Sequence, residues 1–143
     1  MTIRVMAIED YAEVYALWKT TAGMGMRSLD DSEEGIGRFL ERNPRTCFVA
    51  AEAGKILGVI LSGHDGRRGF IYHVAVEKTN RNRHIGRALV TAAEDAMKKE
   101  GIHKIALVVF KDNELGSLFW EGLGFIKRED LVYRNKSLNP QNL

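Results

Sequence analysis

Three arginines and a histidine crowd one short stretch of the chain, Arg81-Asn82-Arg83-His84-Ile85-Gly86-Arg87-Ala88. An apolar run precedes it. A helical spacing of Ile85, Ala88, Leu89, Ala92, Ala93, Ala96 and Met97 follows. The cations therefore gather at a helix start, where the macrodipole is already positive and disfavours them. The placement makes chemical sense if an anion docks on the free backbone amides with the arginines around it. A solvated basic turn is the alternative. The missing Gly-Lys-Ser/Thr excludes a nucleoside-triphosphate loop. A dinucleotide fold needs three glycines here and an early parallel strand–helix–strand unit, and neither is present.

A second candidate is His73, which interrupts the otherwise apolar, acid-free run Phe70-Ile71-Tyr72-His73-Val74-Ala75-Val76. Imidazole, titrating at about 6.5, can take up or give a proton near neutral pH, so His73 is a candidate acid–base group. A buried histidine satisfied by a neighbouring carbonyl is the alternative. Strand alternation puts Tyr72 on the opposite face. Its hydroxyl is the reserve candidate, with a core tyrosine as the alternative. His64 and His103 read as turn and strand-edge residues.

The elements that must position these groups follow from periodicity and turn chemistry. Residues 2–6 read as a strand. Glu9 and Asp10 open a helix whose inner face is Tyr11, Val14, Tyr15 and Trp18. Thr21 to Asp30 is a loop, and a charged helix with Ile36, Phe39 and Leu40 inside ends at Asn43-Pro44. Thr46–Ala53 and Ile56–Ser62 form a hairpin around Ala53-Gly54-Lys55. After the turn Gly63–Gly69, the strand Phe70–Val76 is central. The basic turn and its helix follow, capped at Gly101. Lys104–Phe110 is a buried strand, and a short helix spans Asn113–Gly122 on a stripe of Leu115, Leu118 and Phe119. Phe125–Arg134 holds one or two last strands. Asn139-Pro140-Gln141-Asn142 lies in a polar tail expected to fray.

The 143 residues make one domain, 1–136, followed by the tail 137–143. With 21 basic and 19 acidic residues, the charge is too even to indicate a nucleic-acid partner. The single cysteine, Cys47, excludes an internal disulfide and a Cys-rich zinc site. No apolar run approaches the roughly 20 residues of a membrane span, and no signal peptide is recognisable. A cytoplasmic protein without a membrane partner is expected.

The strand Tyr72–Val76, then Arg81-x-x-His84-x-Gly86, then a helix, resembles the acyl-CoA-binding motif of the GNAT N-acetyltransferases, Gln/Arg-x-x-Gly-x-Gly/Ala. A second register, Arg83-x-x-Gly86-x-Ala88, also fits. The first is preferred because Ile85, Leu89 and Val90 then fall on the family's apolar helix positions. Asn113-Glu114-Leu115-Gly116-Ser117-Leu118-Phe119-Trp120-Glu121-Gly122-Leu123-Gly124-Phe125 is similar to the family's Asn-x-x-Ala-x-x-Phe-Tyr-x-x-x-Gly-Phe. The element order matches across residues 2–135. This resemblance implies an α/β fold, a mixed, mostly antiparallel twisted sheet of about six to seven strands flanked by four helices.

The resemblance also implies acetyl-CoA as co-substrate and no metal. Val74, Ala75 and Val76 would offer backbone groups to the pantetheine arm, within a V-shaped opening between Phe70–Val76 and Lys104–Phe110. Arg81, Asn82, Arg83, His84, Ile85, Gly86 and Arg87 would hold the pyrophosphate, and Asn113 would contact the cofactor arm. Two positions depart from the family. His84 replaces a glycine. Trp120, expected to line the cofactor cleft or to serve as a core aromatic, replaces a tyrosine whose hydroxyl protonates the thiolate; indole has only an N–H donor. The implied reaction is direct attack of a primary amine, on a small molecule or a protein, on the thioester. An amide near Val74 would polarise the carbonyl and His73 would take the proton. The acceptor groove is implied beside Trp18, the Met24–Asp30 loop and the Asp65–Arg68 turn. Asp30, Asp31, Glu33 and Glu34 either attract a cationic amine or form an exposed helix start. A homodimer is a family-level expectation. The competing classes are an inactive CoA-binding module and a polyanion-binding protein.

Overall fold

The computed structural model describes residues 1–143. One sheet carries five strands in sequence order: β1 (Thr2–Val5), β2 (Phe48–Glu52), β3 (Lys55–His64), β4 (Gly69–Val76) and β5 (Ile105–Ala106). Neighbours from β1 to β4 are antiparallel, and β5 joins β4 in parallel. Four helices flank it: α1 (Tyr11–Lys19), α2 (Glu33–Arg42), α3 (Ile85–Lys99) and α4 (Glu114–Gly122). The mixed, mostly antiparallel α/β architecture and the four helices agree with the sequence expectation. The strand count, five rather than six to seven, does not.

Local chemistry explains the elements that hold the site. The β2–β3 hairpin turns on Ala53 and Gly54, both at positive φ (51° and 76°), as a two-residue type I′ turn requires. Ser32 caps α2, its hydroxyl accepting the Gly35 N–H at 3.0 Å. At the end of α3 the Gly101 N–H reaches Lys98 C=O and the Ile102 N–H reaches Met97 C=O, a Schellman closure that needs the left-handed φ of Gly101. The sheet then buries a core on each face. Val14, Trp18, Ile36, Val59, Leu61 and Ala75 pack on the α1–α2 side, and Ile60, Ile71, Ile85, Leu89 and Ala93 on the α3 side.

Two irregularities shape the central strand. Leu61 pairs with His73 and Ser62 with Ile71, so Tyr72 is an extra residue on β4, a β-bulge. Next, β5 pairs with β4 only at Gly69 and Phe70, before the bulge. Beyond it the two strands part. Lys104–Phe110 is therefore not a full strand; the Phe110 ring instead lies against Gly25, 3.2 Å from where a Cβ would sit.

Phe125–Arg134 forms no ladder. Ile126, Leu131 and Val132 are mostly exposed, and the intervening charges pair locally, Lys127 with Glu129 and Arg128 with Asp130. Nor does the tail fray. Asn142 Oδ1 accepts the amides of Leu29 and Asp30 at 3.0 and 3.1 Å, and the Ser28 N–H donates to Leu143 C=O at 2.7 Å. No helix is long and apolar enough to cross a membrane.

Candidate active site

The parting of β4 from β5 leaves one edge of the central strand without a sheet neighbour. The Glu77 N–H donates to Leu57 C=O at 2.8 Å, which sets the phase of the antiparallel ladder. Pairs alternate in such a ladder, so Ala75 and His73 turn their backbone groups toward β3. Val74 and Val76 turn theirs outward, into the opening past β5. A chain of amide groups such as pantetheine can hydrogen-bond to an edge of this kind, as an added strand does.

The edge leads directly to the basic turn. Lys78–Arg83 forms a 3₁₀ turn, and His84 then takes left-handed backbone angles (φ 59°, ψ 26°) to start α3. The glycine-like conformation at this position is thus real, and a histidine adopts it at a cost of about 1–2 kcal/mol. The first bond of α3 runs from Ala88 N–H to His84 C=O. The amides of Ile85, Gly86 and Arg87 precede it and have no acceptor within the protein.

The three arginines differ. Arg83 forks onto both oxygens of Glu52 at 2.9 Å, and those bonds hold the Glu52 carboxyl down to about 2. Arg81 donates only through Nε, to Val76 C=O at 3.2 Å, which leaves its terminal nitrogens free. Arg87 and Asn82 are exposed and unpaired. Arg81, Arg87 and three amides therefore remain to meet an anion at the helix start.

Gly86 packs tightly; a Cβ there would stand 3.1 Å from the Phe119 ring of α4. That contact reveals the inner face of α4. Leu115 and Leu118, expected inside, are 82% and 63% exposed. The face turned inward is Gly116, Phe119, Trp120 and Leu123, an equally regular helical stripe. Trp120 lies between Phe119 and Phe125, with centroids at 4.9 and 5.1 Å, packed edge to face. Asn113 caps α4, its Oδ1 accepting the Gly116 N–H at 2.9 Å.

On the other face of the sheet, His73 is 8% exposed and its Nε2 lies 2.8 Å from Asp31 Oδ1. Asp31 is itself buried at 5%, not part of an exposed helix start. Its Oδ2 accepts the Arg27 N–H at 2.7 Å. The imidazole meets Trp18 edge to face at 4.9 Å, and its Nδ1 has no protein partner. A carboxylate on one imidazole nitrogen fixes the ring orientation and leaves the other to exchange a proton. Residues 31 and 73 are far apart in sequence, and nothing local in either segment signals the pairing.

The bulge also relocates Tyr72. Alternation puts it opposite His73, yet its ring meets Phe39 of α2 at 5.5 Å, on the same side as His73. Tyr72 is 55% exposed; partial burial, then Tyr133 and the Asp30 carboxylate, push its hydroxyl pKa up.

A model described as the acetyltransferase (GNAT) family matches residues 11–125. Acetyltransferase SG1711 of Sodalis glossinidius (strain morsitans) is 33% identical over 138 residues, covering 96% of each protein. Among solved structures, Ard1 from Thermoplasma volcanium has a TM-score of 0.77 at 23% identity, over 87% of this chain and 82% of that one. AAC(6')-Iy, solved with the bisubstrate analogue CoA-S-monomethyl-acetylneamine, has a TM-score of 0.73 at 18% identity, over 95% and 97%. These likenesses at low identity speak for the fold.

Proposed function

The chain belongs to the GNAT acetyltransferase family, and from that premise we propose that it moves an acetyl group from acetyl-CoA to a primary amine by direct attack. The observation that carries this reading is the continuous path from the outward-facing edge at Val74 and Val76 to the free amides of Ile85, Gly86 and Arg87. Along it, the pantetheine arm adds to the β4 edge and the pyrophosphate rests on the start of α3, between Arg81 and Arg87. The outward Val74 amide polarises the thioester carbonyl and stabilises charge as it builds on oxygen.

His73 draws the proton from the amine through Nδ1, directly or through one water, while Asp31 holds the ring. The departing thiolate takes its proton from a water or from Ser117, a role the Trp120 indole cannot fill. No metal takes part in this scheme.

The test is His73→Gln with acetyl-CoA and a panel of amines, read by free-thiol release. Gln retains an N–H donor for Asp31, whereas Ala leaves the buried Oδ1 of Asp31 without its partner. We expect kcat to fall by about 10²–10⁴-fold, with the melting temperature and the affinity for CoA nearly unchanged. A folded variant with wild-type kcat removes His73 from the mechanism.

A further inference from the structure

A cavity of about 500 Å³ opens on the α2 side of β4. Its size suits a small molecule. Phe39, Phe70 and Tyr72 give it an aromatic wall, with Tyr72 centred 4.7 Å from Phe70 and 5.5 Å from Phe39. Arg42, Arg68 and Lys104 line the remainder, and none of the three has an ion-pair partner.

The charge balance is decisive here. One carboxylate, Asp65, shares the lining with these cations, and its Oδ1 is already occupied by the amides of Arg67 and Arg68 at 2.8 and 2.9 Å. Glu100, the other acid nearby, is committed to Arg45 and His64. His73 follows Tyr72 on β4 and lies with Asp31 outside this lining. The cavity thus offers free cations at the hairpin and an aromatic wall whose last ring, Tyr72, adjoins His73.

We propose that this cavity is the acceptor site and that it selects small primary amines that also bear a carboxylate and an apolar or aromatic body, namely amino acids or short peptides. This deepens the transferase reading and rests on it. The amine end lies past Tyr72, on the side of His73, the next residue of β4. The carboxylate meets Arg42, Arg68 and Lys104, and the apolar body lies on the three rings. Polyamines and other polycations are disfavoured, because the same cations repel them.

The test pairs L-phenylalanine with its amide and glycyl-L-phenylalanine with its amide, with spermidine as the polycation, in the wild type and in Arg68→Gln. Arg68 sits in an exposed turn held by its backbone amide, so its replacement leaves the fold intact. The wild type is expected to favour the carboxylate over the amide by at least tenfold in kcat/KM in one pair, and to use spermidine poorly. Arg68→Gln should reduce that preference by about tenfold, the worth of one charged hydrogen bond. Differences in amine basicity cancel in this comparison of two proteins. Preference for the amides or for spermidine, or a preference unmoved by Arg68→Gln, overturns the proposal while transferase activity stands. If no amine is acetylated, calorimetric binding of N-acetyl-L-phenylalanine in the presence of CoA decides. Binding that weakens about tenfold in Arg68→Gln upholds the cavity's selectivity although the transfer reading fails. No binding to either protein overturns the proposal.

Discussion

Replacing His84 by glycine should make the protein more stable, although the change removes a whole side chain. His84 is held at φ 59° and ψ 26°, where a Cβ crowds the following carbonyl at a cost of about 1–2 kcal/mol. Glycine avoids that crowding but loses about 0.5–1 kcal/mol more backbone entropy on folding. The side chain is exposed and makes no cap, so no contact is lost. A net gain of about 0.5–1 kcal/mol remains. For 143 residues the entropy of unfolding is about 0.3 kcal/mol/K, so the melting temperature should rise by about 2–3 °C. The control is His84→Ala, which removes the imidazole and keeps the strain. It should melt at or below the wild type, since histidine tolerates this region better than most residues. Differential scanning calorimetry on the three proteins reads the ranking. An alanine variant as stable as the glycine variant would refute the strain argument.

Three further outcomes follow from the same geometry. Arg81→Ala should raise the KM for acetyl-CoA about tenfold or more, while Arg83→Ala, whose fork is spent on Glu52, should raise it much less in the same assay. The Glu52 carboxyl, down from 4.5 to about 2, contributes stability that is complete above pH 4.5 and lost as the pH falls toward 2; in acid melts, Glu52→Gln should flatten that part of the curve. Cys47 is 1% exposed and burial lifts its thiol to about 12, so a thiol reagent should find no reactive group until the protein is denatured, and a free-thiol assay should report only released CoA.

What the sequence made legible was local. The α3 stripe, the Ala53-Gly54 turn, the cap at Gly101 and the cationic helix start each declare themselves within a few residues. Longer-range features did not. The bulge at Tyr72 depends on the register against β3, which an alternating apolar run cannot disclose. On α4 two stripes compete. The leucine-rich one looks the more apolar, but Gly116 and the aromatic side chains face the core. Asp31 reads as one acid among several at a helix start until the fold sets it against His73. The expected last strands do not form: Lys127 to Asp130 pair among themselves and the tail finds its partners at Ser28 to Asp30.

Thermal stabilisation by CoA and its fragments reads whether the β4 edge and the start of α3 together hold CoA. A ligand at 100 times its dissociation constant adds about 2.7 kcal/mol, which for this chain is a rise of about 9 °C. At one fixed concentration, CoA should produce a shift of that order. Dephospho-CoA, which keeps the diphosphate, should retain most of it, and pantetheine, which lacks the diphosphate, should lose most of it. Equal shifts from pantetheine and CoA, or no shift from either, would contradict the account.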